Sequence, residues 1–222
     1  MLKKYILIIL LPLCMHAKSM PVKNSNATIR KIYTCKNKAF SIGADEIATI
    51  EESGGNSTYG EITDKGVQML IHELNPKKSD VFYDLGSGGG RMVLKMYLDS
   101  PIHRAVGIEL SPTRHAIALK AQEKLKELGQ EISGKILEFR NADIQKARIQ
   151  DATIIYVAST CFSDEFMQKL TTKLAALKKG LNVLTLRQLP KHEAFTLVKE
   201  LRVPMTWGAD VSVYWYTLTN GI

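Results

Sequence analysis

The chain predicts an α/β fold, a mostly parallel sheet finished by an antiparallel pair of C-terminal strands. Three observations predict it. Short apolar runs alternate with helical spacings from Thr63 to Leu186. A glycine turn, Asp84-Leu85-Gly86-Ser87-Gly88-Gly89-Gly90, joins the apolar run Val81-Phe82-Tyr83 to the helically spaced Met92-Val93-Leu94. The tail then changes character, with two long strand-like segments around a turn.

Taken in order, Val67, Leu70, Ile71 and Leu74 mark one helical face beginning at Thr63, and Asn75-Pro76 ends it. Val81–Leu85 reads as a strand, Arg91–Leu98 as a helix and Arg104–Leu110 as a strand. Ser111-Pro112 supplies a cap followed by a first-turn proline, opening a helix that runs to Leu128-Gly129. Lys135–Arg140 and Thr153–Ala158 read as strands, Asp164–Leu177 as a helix stopped by Gly180, and Leu181–Leu186 as a strand. Phe195–Met205 and Val211–Thr219 complete a set of seven strands, with their turn expected at Trp207-Gly208-Ala209. Upstream, residues 20–57 are polar with a Gly54-Gly55 break, and are expected to form an irregular arm partly packed on a domain spanning 58–222.

The 222 residues suffice for one domain with extensions, and 45% hydrophobic and 23% charged content are ordinary for a soluble globular protein. The first residues are different. Lys3 and Lys4 precede the apolar run Tyr5 to Leu13, and the small residues Ala17 and Ser19 follow, which is the three-part layout of a secretory signal over residues 1–19. The run is shorter than a helix needs to cross a bilayer of roughly 30 Å, so no stable membrane insertion is expected after its removal. A leucine just before Cys14 argues against lipoprotein cleavage. Secretion or a periplasmic location, with delivery into a host cell, is the expectation. Cleavage after Ala17 removes Lys3 and Lys4 and lowers the formal charge from +8 by two, to +6, and cleavage after Ser19 also removes Lys18, leaving +5; a basic surface favours an acidic partner such as nucleic acid or a nucleoprotein. Cys35 and Cys161 are too few for a disulfide framework, and whether they pair stays open. No Cys/His cluster has metal spacing, so no metal is expected.

The glycine loop carries the chemistry. Bare backbone there lets a nucleotide-like ligand approach closely. Glu109 ends the run Ala105-Val106-Gly107-Ile108, where a carboxylate takes both hydroxyls of a ribose. A dinucleotide fingerprint would place glycine at the sixth position from Gly86, and that position is Arg91. Asp84, just ahead of the glycines, instead faces a cationic ammonium group. Asp143, after the third strand, is placed to accept a hydrogen bond from an adenine amino group. Three acids ending three successive strands fit S-adenosyl-L-methionine better than NAD.

Several motifs fall into one order: Thr58-Tyr59-Gly60-Glu61, then Val81 to Gly88, then Glu109, Asp143 and the closing Val211-Ser212-Val213-Tyr214-Trp215-Tyr216-Thr217. This resembles the catalytic domain of the DOT-type (disruptor of telomeric silencing) non-SET histone lysine methyltransferases, over roughly Ser57 to Leu218. The resemblance implies a seven-stranded, Rossmann-like methyltransferase sheet and S-adenosyl-L-methionine as cofactor. It places cofactor contacts on Tyr59, Gly60, Glu61 and Ile62, on Phe82, Tyr83, Asp84, Gly86, Ser87, Gly88 and Arg91, and on Glu109, Asp143 and Ile144. Tyr59 and Glu61 are implied to close over the cofactor. A lysine channel maps to Phe162, Trp207 and Tyr214. Arg91 stands where a glutamine is usual and Ile62 where a threonine is usual. The family's Asn-Asn-Phe reads Ala158-Ser159-Thr160, so Ser159 is expected to offer a shorter hydrogen-bonding group beside the reacting centre. The family's basic nucleosome-binding extension is not seen before Ile222. Cys161 has no adjacent base and is expected to be a packed thiol.

The function implied is that of a secreted protein-lysine N-methyltransferase whose substrate is a lysine of a histone, a nucleosome or another basic protein. Two alternatives stand beside it: a methyltransferase for a bacterial protein lysine or small molecule, and a binding-only domain that has lost transfer.

Overall fold

The computed structural model describes residues 25–34 and 41–220. The expected signal at 1–19, together with Cys14 and Cys35, lies outside the described residues. Six helices and seven strands follow in the order α1 (Ser25–Ile32), α2 (Ala44–Glu52), α3 (Asp64–Leu74), β1 (Val81–Leu85), α4 (Arg91–Asp99), β2 (Arg104–Glu109), α5 (Pro112–Glu127), β3 (Ile136–Asn141), β4 (Ile154–Val157), α6 (Asp164–Ala175), β5 (Asn182–Thr185), β6 (Phe195–Met205) and β7 (Gly208–Leu218).

The strands form one sheet in the order β3-β2-β1-β4-β5-β7-β6. β1 to β5 are parallel, and β7 runs antiparallel to both β5 and β6. This is the mixed sheet expected from the sequence. Strand alternation divides β1 between two cores. Phe82 faces one with Val93, Leu94 and Leu125, while Tyr83 and Leu85 face the other with Ile155, Met167 and Leu170. The first core is roofed by helices α1, α3, α4 and α5, and the second mainly by α6 and the connection after β3.

Capping residues set the helix starts where composition indicated them. The hydroxyls of Thr63, Ser111 and Ser163 accept from the backbone amides of Gly66, Arg114 and Phe166, each at 3.1 Å. Asn75 ends α3 in the left-handed region, at φ 44°.

Two expectations are corrected. The arm is not irregular, because α1 and α2 form within it. Both are short, and helices of that length are marginal in isolation, so tertiary contacts stabilise them. Ile29 of α1 is fully buried in the core. Lys95 of α4, also fully buried, donates to Ser25 Oγ at 3.1 Å and Asn26 Oδ1 at 2.7 Å while pairing with Asp99 at 2.5 Å. A buried ammonium held this way needs α1 in place to satisfy it. The hairpin turn, expected at Trp207-Gly208-Ala209, is instead Thr206-Trp207, with β7 beginning at Gly208.

Ile29→Ala is expected to lower the unfolding free energy by about 2–4 kcal/mol, the usual cost of an apolar truncation in a packed core. Urea titration reads this directly, and a loss of only a few tenths would place α1 outside the cooperative unit.

Candidate functional site

A cavity of about 440 Å³ opens at the C-terminal ends of the parallel strands. Strand order reverses there, since β1 leads outward to β2 on one side and to β4 on the other. The connecting loops splay apart at such a point and leave a crevice.

The floor is built from strand tips. Asp84 and Leu85 end β1, Glu109 ends β2, Asp143 and Ile144 follow β3, Tyr156 comes from β4 and Ala158 follows it. Glu109 is buried, and its two oxygens accept from Gly88 N and Ser111 N, each at 2.8 Å. Burial raises its carboxyl above the ordinary range against the pull of those donors. Asp84 is buried too, and burial, then the Glu109 charge, pushes its carboxyl up to about 8. Asp84 Oδ1 and Ser87 Oγ are both buried without a hydrogen-bond partner among the described residues. Orphaned polar atoms in a cavity wall mark where a ligand completes the bonding.

The roof is a strap, residues 57–62, clipped to the tip of the β6–β7 hairpin. Thr206 N donates to Glu61 O at 2.8 Å, Glu61 N donates to Thr206 Oγ1 at 3.1 Å, and Ile62 bridges to Met205. The Tyr59 hydroxyl donates to Glu61 Oε1 at 2.6 Å and accepts from Gly89 N at 3.1 Å. Burial is the largest cause holding that phenol far above its ordinary value, so it stays a donor. Two glycines permit the closure. A Cβ on Gly88, at φ +53°, would lie 2.2 Å from the Tyr59 ring, and one on Gly60 would lie 2.3 Å from the Trp207 indole.

The remaining walls come from the arm and from the start of α6. Ile50, Ser53, Gly55 and Asn56 line the cavity from α2 and its exit. Phe162 and Phe166 also line it, packed edge to face at 4.7 Å between centroids, with Phe166 against Gly54. Glu46 of α2 accepts from the hydroxyls of Ser111 and Thr113, which docks the arm on the start of α5. The expected domain start at residue 58 therefore falls inside the site.

Of the residues expected from the sequence, Tyr59, Gly60, Glu61, Ile62, Asp84, Gly86, Ser87, Arg91, Glu109, Asp143, Ile144, Phe162 and Trp207 line this cavity. Arg91 also pairs with Asp64 at 2.9 Å. Five others do not line it. Phe82 is spent in the core, and Tyr83 points through the opposite sheet face to donate to Asp151 at 2.7 Å. Gly88 lies against the Tyr59 ring and donates its amide to Glu109. Tyr214 lies on β7 beside Thr185 and packs on the second core. Ser159 is fully buried, its Oγ 2.6 Å from Thr185 Oγ1 and accepting from Arg187 N at 3.0 Å. Ala158, two residues beyond Tyr156, keeps the strand's parity and faces the cavity instead. Cys161 is an exposed free thiol at the cavity wall, not a packed one.

Tyr156, Arg114 and Phe166 were missed. Tyr156 sits directly across from Asp84 in the β1–β4 pairing, so strand alternation would have found it. Arg114 and Phe166 read as ordinary helix residues, and no sequence signal distinguishes them.

A buried acid with an unpartnered oxygen at the end of β1, a second clamped at the end of β2, and apolar walls suit a ligand with an ammonium group and a nucleoside. A family model described as "Histone methylation protein DOT1" matches residues 41–207. The chain belongs to the DOT1 family. Among its DOT1 relatives, a histone-lysine N-methyltransferase, H3 lysine-79 specific, from Caenorhabditis elegans is 31% identical over 145 residues, 60% of this chain and 15% of the relative. The corresponding protein of Drosophila melanogaster is 26% identical over 133 residues, 57% of this chain and 7% of the relative. The chain thus spans less than a sixth of the length of these two curated relatives. Among solved structures, an RNA methyltransferase from Salinibacter ruber in complex with S-adenosyl-L-homocysteine superposes with a TM-score of 0.53 at 26% identity, covering 70% of this chain and 92% of that one. Magnesium protoporphyrin IX methyltransferase from Synechocystis PCC 6803 with bound SAM shares the fold, with a TM-score of 0.53 at 11% identity over 87% of this chain and 91% of that one.

Asp84→Asn is expected to stabilise the unliganded protein in a pH-dependent way. Below about pH 3.9, the value for an unfolded chain, both states of the parent hold the proton and the variant gains little. As pH rises to about 8 the unfolded parent ionises while the folded one keeps its proton, so the parent loses stability and the gap widens. Melting curves of the two proteins across pH 4–8 test this, and a gap that narrows with rising pH contradicts it.

Proposed function

We propose that the chain is an S-adenosyl-L-methionine-dependent protein-lysine N-methyltransferase. The observation that carries this reading is the pair of orphaned buried oxygens, Asp84 Oδ1 and Ser87 Oγ, beside the clamped Glu109 in a cavity of a DOT1-family chain.

The cofactor, when bound, supplies an electrophilic methyl group on a cationic sulfonium. Asp84 would hold its ammonium group, and Glu109 its ribose hydroxyls. Asp143, with Oδ1 turned back to Gln145 N at 2.7 Å, and Ile144 would hold the adenine. The strap and the Trp207 tip exclude water from the reacting end. Phe162, Phe166 and Trp207 offer an apolar wall for a lysine stem. Free lysine titrates at about 10.4, and burial against such a wall disfavours its ammonium form, releasing the lone pair the reaction needs. Tyr156 and Tyr59 remain neutral, because burial raises both phenols, so neither serves as a base. The acceptor proton leaves to solvent before closure.

A lysine of a histone or nucleosome is the substrate favoured by the H3 lysine-79 relatives and by the basic formal charge, which is +8 for the whole chain, stays positive once the signal is removed and suits an acidic nucleoprotein. The binding-only alternative has one observation in its favour: alanine, at Ala158, faces the cavity where a family amide was expected nearby. Export is proposed from the Lys3-Lys4, Tyr5–Leu13 and Ala17/Ser19 pattern, and delivery to host chromatin follows from it. N-terminal sequencing of protein from culture supernatant tests this. An intact Met1 in the cell-associated fraction alone would refute it.

Radiolabelled methyl transfer to nucleosomes, free histones and bacterial lysate, run side by side, tests the activity. Labelled histone supports the main reading, labelled bacterial protein redirects it, and binding without label supports loss of transfer. Asp84→Ala and Gly86→Arg are each expected to abolish cofactor binding by calorimetry; the space above Gly86 is open, so an arginine there would enter the cavity. Trp207→Ala is expected to lower transfer on the order of tenfold to a hundredfold with cofactor affinity kept. An unchanged rate removes Trp207 from the acceptor side.

A further inference from the structure

We propose that Arg114 is a positioning residue that holds the strap closed over the cofactor cavity through Ser57 and Tyr59. The inference rests on the cavity's being the cofactor site. It adds a residue that neither the motifs nor the fold singled out.

Arg114 lies on the first turn of α5 and is 4% exposed. Its Nη2 donates to Ser57 O at 2.6 Å, and its guanidinium carbon stands 4.8 Å from the centroid of the Tyr59 ring. One planar group therefore grips the strap twice, once by a charge-assisted hydrogen bond and once by a cation–π contact. On the far side, the same ring meets Gly88 at the distance only glycine allows, and its hydroxyl reaches Gly89 N. Tyr59 is thus clasped between α5 and the glycine loop.

The charge of Arg114 has a second use. It lies near enough to Glu46 and Glu109 to hold both carboxyls lower than they would otherwise stand. Glu46 anchors the arm and Glu109 anchors the glycine loop, so the cation that grips the strap also steadies both supports. A lysine would keep the charge but lacks the flat face for Tyr59 and the fixed fork for Ser57. The geometry therefore distinguishes a positioning role from simple charge balance.

Arg114→Lys in the full chain makes that distinction. Hydrogen exchange is followed across residues 57–62 and 86–90 in the free protein. S-adenosyl-L-methionine and S-adenosyl-L-homocysteine affinities are measured by calorimetry, and kcat and KM by methyl transfer. The expected result is faster exchange at 57–62 and at Gly89, whose amide the Tyr59 hydroxyl covers, with little change at 86–88 and Gly90, cofactor affinity weakened by about tenfold, and KM for the cofactor rising by a larger factor than kcat falls. Weakened binding with unchanged exchange would make Arg114 a direct cofactor contact and overturn the proposal. Unchanged exchange and binding would reduce it to charge balance and overturn it equally. Should Arg114→Lys fail to fold, Tyr59→Leu, which leaves the guanidinium and removes the ring it grips, must loosen 57–62 together with Gly89, whose amide loses the Tyr59 hydroxyl, while 86–88 and Gly90 stay protected. If the parent protein binds neither ligand, the cofactor reading fails, while the exchange comparison still decides whether Arg114 holds the strap.

Discussion

The clamp on Glu109 is the constraint from which the rest of this site follows. One buried carboxylate accepts from Gly88 N and from Ser111 N, tying the loop after β1 to the start of α5. Charge-assisted bonds from two backbone amides fix the side chain as well as the loops. With Glu109 held in place, its charge helps raise its neighbour Asp84, whose Oδ1 finds no partner among the described residues. An acid kept above its ordinary range at a cavity floor costs stability in the empty protein and is relieved by a cationic ligand. Stability and binding are therefore opposed at this position.

The roof depends on contacts far apart in sequence. The strap reaches the hairpin tip through Glu61 and Thr206, 145 positions away, and reaches α5 through Ser57 and Arg114, 57 positions away. The arm closes the third side, because Glu46 caps the start of α5 and Ile50 lines the cavity. The DOT1 family match begins at residue 41 and ends at 207, so it takes in both α2 and the Trp207 tip. The matched stretch thus contains every residue that lines the cavity, from Ile50 to Trp207.

Legibility varied with the range of the interaction that decides each residue. Asp84, Glu109 and Asp143 were readable because each ends or follows a strand, and a parallel sheet carries such positions to one edge. The strap was readable through a short motif, Tyr59-Gly60-Glu61. Phe82 and Tyr83 were assigned to the site by resemblance, yet alternation turns Phe82 into one core and Tyr83 through the other face. The same alternation puts Ala158 rather than Ser159 at the cavity. Tyr214 was assigned to the channel by resemblance, but its register opposite Thr185 seats it against the second core. The helices of the arm were not read because each is only two to three turns long, and their stability comes from contacts such as Ile29 in the core and Lys95 on Ser25 and Asn26.

What the amino-acid order determined alone is the series of strands and capped helices, the glycine turn, and the three acids at strand ends. These depend on periodicity, local capping and backbone freedom, which act over a few residues. Only the tertiary structure decided which side chains face the cavity, that the arm belongs to it, and that Arg114 grips the strap. Those outcomes depend on register, on which sheet face a residue occupies and on contacts across more than fifty residues. No local pattern encodes them, because they exist only once the segments have packed.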